Sequence, residues 1–150
     1  MWGDREQMRA FFRETWRKAQ AGETLQPMER IVAGVIEEHP EYHGLITGED
    51  ALHRDWTPEQ GETNPFLHMG MHIALREQAG ADRPAGIRAL VEQLALHIGE
   101  LHEAEHRLME PLGEAMWNAQ RAGSNAPDER AYLEAVRKLV RDTTGRKPDA

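Results

Sequence analysis

Apolar residues recur at three- and four-residue spacing along most of this chain and nowhere alternate in twos, so it can bury them only as helices. Arg5 to Ala21 places Met8, Phe11, Phe12, Thr15, Trp16 and Ala19 at helical spacing, keeps Arg9, Arg13 and Arg17 on another side, and ends near Gly22. A second helix starts at Pro27, a favoured first-turn residue, and carries Met28, Ile31, Val32, Val35 and Ile36 until Pro40 stops it. Its last core-facing position is His39. The polar stretch Glu41 to Thr63, punctuated by Gly44, Gly48, Pro58 and Gly61, reads as connection. Asn64 can then cap and Pro65 can open a helix whose start, Phe66 to Leu75, is apolar on almost every side and is therefore expected to be buried.

Asp82 and Pro84 open the longest stretch, with Ile87, Leu90, Val91, Leu94, Ile98, Leu101, Leu108, Leu112 and Met116 continuing to about Arg121. Pro111 lacks the amide that would bond the carbonyl of Arg107, so a kink is expected there. Pro127 to Glu129 starts a last helix, with Tyr132, Leu133, Val136, Leu139 and Val140 on one stripe. The expectation is an all-α, single-domain helical bundle of about five helices with a kinked long helix, spanning residues 1–144 and followed by a flexible polar tail, 145–150.

The chain has no cysteine, which removes disulfides, thiolate metal sites and a cysteine nucleophile. Its net charge of -8 argues against nucleic acid as a partner, since phosphate contacts need a basic face. The first residues lack the basic start and apolar stretch of a secretory signal, and no apolar run approaches the ~18 residues of a membrane span, so a cytoplasmic protein without membrane contact is expected. Eight histidines in 150 residues are the anomaly that needs explaining.

Taking about 100° per residue from Ile87, the side chains of Leu94, Ile98, Leu112 and Met116 fall within roughly 20° of one line. Glu105 falls almost on that line, His102 about 60° from it and His106 near 100°, while Glu103 points roughly the other way, toward solvent. A carboxylate at the centre of an apolar face is costly unless paired, hydrogen-bonded, protonated or bound to a cation. His68 and His72 share one face of a helix expected to be buried, and His39 ends the stripe of another, so three helices aim imidazoles inward. Imidazole and carboxylate without thiolate suit a transition metal ion such as zinc, iron or manganese.

Three motif readings compete. His102-Glu103-Ala104-Glu105-His106 matches H-E-x-x-H, in which two histidines hold zinc and the glutamate between them is a general base. That reading needs Glu103 in the site, whereas the stripe favours Glu105. A carboxylate-bridged di-iron site asks for two Glu-x-x-His motifs, and Glu103 to His106 supplies one. A histidine-rich site of the hemerythrin type fits more loosely, through the i,i+4 pairs His39/His43, His68/His72 and His102/His106.

Taken together, His39-Pro40-Glu41-Tyr42-His43, the run from Gly61 to His72, and His102 to His106 resemble an uncharacterised bacterial family known as domain of unknown function number 1841. The resemblance extends from the first helix to about Arg137. It implies a stand-alone proteobacterial cytoplasmic protein of about this size and brings no activity with it.

The leading expectation is a metal-binding bundle in which His68, His72, His102 and Glu105 ligate, and His106, His39 and His43 are further ligands or supporting partners. Its reaction would be hydrolysis or small-molecule redox and oxygen binding on an unidentified small molecule, with Glu105 as the catalytic proton relay. The alternative is a metal-free interaction or adaptor protein with a buried His/Glu hydrogen-bond network that includes an Arg76–Glu105 ion pair, using its acidic faces or the Glu41–Thr63 loop with Trp56 as contact surface. Neither reading excludes a homo-oligomer.

Overall fold

The computed structural model describes residues 5–56 and 64–145. The part of the expected loop at 57–63 and the expected tail at 146–150 lie outside the described residues. Among the described residues all regular structure is helical, in seven α-helices: α1 Arg5–Gln20, α2 Pro27–Glu37, α3 His43–Thr47, α4 Pro65–Ala81, α5 Ile87–Ile98, α6 Leu101–Arg121 and α7 Glu129–Thr144, with a 3₁₀ turn at Pro40–Tyr42 before α3. No described helix is long and apolar enough to cross a membrane. The chain divides into two compact units, Met1–Ile73 and Ala74–Ala150, and the division falls inside the unbroken helix α4.

The first unit is built on α1, α2, α3 and the start of α4. Its core joins Phe12, Val32, Val35, Ile36, Ile46, Ala51, Phe66, Met69 and Ile73, flanked by Met8, Phe11, Trp16 and Trp56. Glu29 closes a capping box with Gln26 at the start of α2 and also receives Lys18 at 2.9 Å, which ties α1 to α2. Asn64 caps α4 by accepting from the amides of Phe66 and Leu67 at 2.9 and 3.2 Å, as its position before Pro65 suggests. Helix α4 is less enclosed than its all-round apolar start suggests, since Leu67 is 56% exposed.

Arg9 departs from the expected basic face of α1. It is 1% exposed, with its guanidinium 4.8 Å from the Phe66 ring and 5.1 Å from that of Trp56. Its Nη1 donates to the carbonyls of Ala51 at 3.1 Å and Arg54 at 2.7 Å, so one cation pins the segment after α3 to α1. Burial, followed by the charge of Arg5, lowers its pKa from the usual arginine value.

The second unit packs α5, α6 and α7 against one another. Ile87, Leu90, Val91 and Leu94 face Ala104, Leu108 and Leu112 and, from α7, Tyr132, Val136 and Val140, all buried. The expected single long helix is two helices, which with α3 accounts for seven rather than about five. The break lies at Gly99, whose φ of +96° ends α5 while its amide donates to Ala95 O, and the extended Glu100 restarts α6. Helix α6 runs on past Pro111. Because the turn at Gly99 resets the phase, Met116 is 45% exposed rather than in line with Ile87, and the buried face of α6 is Ala104, Glu105, Leu108, Pro111 and Leu112.

Candidate metal centre

Two sequence devices bring three histidines together in the first unit. Pro40 disfavours helical geometry at the preceding residue, so α2 ends and His39 sits at φ −126° just beyond it. On α4, His68 and His72 stand one turn apart on the same face, with ring centroids 5.0 Å apart. The ring of His39 lies 5.2 Å from that of His68 and 4.9 Å from that of His72. Each of the three offers a ring nitrogen, and these nitrogens lie within 4.8 Å of one another. His72 is fully buried and His39 is 2% exposed.

The tautomer of His39 follows from its partner. Its Nδ1 lies 2.7 Å from Val35 O, and a carbonyl can only accept, so Nδ1 carries the hydrogen. The neutral ring then presents its lone pair on Nε2, which is the arrangement that outer hydrogen bonds impose on ligating histidines. Tyr42, from the 3₁₀ turn, stacks parallel to His39 at 5.4 Å and meets His68 edge-on at 6.1 Å. Burial, then the charge of Glu41, pushes its phenol pKa upward. Sequence reasoning passed over Tyr42, although it lies three residues from His39 and could have been reached by extending the helical count beyond Pro40.

The other expected ligands have different surroundings. His43 lies with its ring 4.5 Å from Trp16, and its Nε2 donates to Ile36 O at 2.8 Å, so it secures the end of α2. In the second unit, Glu105 is 1% exposed and accepts from Arg76, whose Nε lies 3.0 Å from Oε2 and whose Nη2 lies 3.1 Å from Oε1. This is a two-pronged guanidinium–carboxylate pair. His102 and His106 meet edge-on with ring centroids 4.4 Å apart, and His106 Nδ1 is 3.2 Å from Glu103, which is exposed. An ionised carboxylate only accepts, so His106 Nδ1 is the nitrogen that carries a hydrogen toward Glu103. Exposed Glu103 is ill placed for the general-base role that the H-E-x-x-H reading requires. His53 and His97 are both exposed, and His53 pairs with Glu6 at 3.0 Å.

The arrangement is suited to cation coordination. Three points no more than 4.8 Å apart lie within about 2.8 Å of a common centre, so closing to the ~2.0–2.1 Å of a zinc–imidazole bond asks each ring to move by under ~1 Å. Comparison with curated proteins and with solved structures found no match. A family model described as Domain of unknown function (DUF1841) matches residues 4–138.

Proposed function

The chain belongs to this family, whose description carries no activity to inherit, and from the site itself we propose that the protein binds a transition metal ion through His39, His68 and His72. The observation that carries the proposal is the convergence of three imidazoles from two segments, two of them buried and one with its tautomer fixed by a carbonyl.

Within the second unit, Arg76 grips Glu105. Glu105 is accordingly assigned as the anchor of Arg76 rather than as a ligand or proton relay, because both its oxygens are engaged by the guanidinium. His102 supports His106 through ring contact. An all-imidazole set favours zinc or ferrous iron over manganese, which prefers oxygen donors. A metal held by three histidines keeps a position open for water or a small ligand, so activation of bound water or binding of a small oxidant is the chemistry we assign.

One observation favours the metal-free reading for part of the site: the Arg76–Glu105 pair satisfies Glu105 without any ion. Elemental analysis separates the two readings. Protein loaded with zinc or ferrous iron and then dialysed should retain about one equivalent, His39→Ala and His72→Ala should lose it, and the exposed control His97→Gln should keep it. Retention below about a tenth of an equivalent by the loaded wild type would overturn the proposal.

A further inference from the structure

The donor set has a charge consequence. Every member of the clustered group is an imidazole, and among the described residues the group contains no carboxylate. Glu105, the buried acid that the sequence offers as a ligand, is already neutralised by Arg76, and Glu103 is exposed. A divalent ion ligated by neutral rings therefore keeps its full charge. It does so beside His39 and His72, which are almost completely withdrawn from solvent. A charge in such surroundings is costly until a counter-charge joins it, and here the protein supplies none at the ligand positions.

Resting on the proposed metal site, we infer that its open position takes a small inorganic anion, hydroxide in plain water and other compact monoanions when they are present. Size follows from the rings: packed with centroids only 4.9 to 5.2 Å apart, and with Tyr42 stacked on His39, they exclude a bulky ligand and favour a compact one. The protein thus supplies lone pairs and shape, and the exogenous ligand supplies the charge. This distinguishes it from carboxylate-rich metal sites, where the protein itself neutralises the ion and neutral ligands compete on equal terms.

Cobalt(II) makes the test visible. The full-length protein is loaded with cobalt, its visible ligand-field bands are recorded, and sodium azide is titrated in, with sodium perchlorate as the weakly coordinating control for ionic strength. The expected result is a saturable change with azide and none with perchlorate. Bands that stay unchanged up to about 100 mM azide would overturn the inference while leaving the metal site standing. Absence of cobalt bands would overturn both.

A second arm tests the charge argument itself. His68→Glu, or His39→Asp as the alternative, places a carboxylate among the ligands. One added negative charge within about 4 Å of the ion should weaken azide binding at least about tenfold. Undiminished azide affinity in a variant that still holds cobalt would show that charge does not set the ligand class, and would overturn the inference.

Discussion

Arg76→Met tests how the second unit holds its buried acid. Methionine keeps much of the apolar stem and removes only the guanidinium. Glu105 is 1% exposed and the Arg76 side chain 19%, so the pair sits largely out of water. Breaking such a pair costs about 3–5 kcal/mol, and the partial exposure of Arg76 places the expected loss near the lower end, about 3 kcal/mol. For a chain of 150 residues that corresponds to a fall in Tm of roughly 6–12 °C. The assay is thermal and urea unfolding followed by circular dichroism, in chelator so that metal binding does not contribute. The double variant Arg76→Met/Glu105→Leu should recover most of the loss, because two apolar groups replace two charges together. A single-variant loss below about 1 kcal/mol, or a double variant no better than the single, would refute the ion-pair reasoning.

Tyr132 is buried and donates to Gln78 at 2.7 Å, and burial pushes its phenol up to about 12 from an ordinary value near 10. The raised folded-state value stabilises the protein below pH ~10, and this stability is lost as pH rises from about 10 to about 12, a total of about 3 kcal/mol. Urea midpoints measured across that range should fall more steeply for wild type than for Tyr132→Phe; parallel slopes would contradict the assignment. Gly99→Ala should destabilise the α5–α6 turn by about 1–2 kcal/mol, since φ is +96° there while no atom lies within 4 Å of an added Cβ, so the cost is backbone strain alone. Chemical denaturation checks this, and a neutral substitution would show that the turn relaxes.

How much of this was legible in the sequence depended on whether the signal was local. The cap at Asn64, the stop at Pro40 and the pairing of His68 with His72 are set by residues within a turn of one another, and they could be read directly. That Glu105 would be buried also came through, because it belongs to the apolar stripe of α6 itself. Its partner did not come through as the leading reading, because choosing between Arg76 and a metal requires knowing where α4 places its third turn. Arg9 groups with Arg13 and Arg17 away from the apolar side in the sequence, and its burial is not legible there because the carbonyls of Ala51 and Arg54 that receive it lie more than 40 residues away. The break at Gly99 was hidden by an apolar rhythm that happens to continue across it, although a glycine followed by the first residues of a new stripe also fits a helix end.

The central claim is that histidines hold a metal, and X-ray absorption at the metal edge of the zinc-loaded protein tests it most directly. The account predicts nitrogen neighbours at about 2.0–2.1 Å with the outer-shell scattering of three imidazole rings, and loss of one ring's contribution in His39→Ala. A shell of oxygen donors without imidazole scattering, or a spectrum unchanged by His39→Ala, would contradict it.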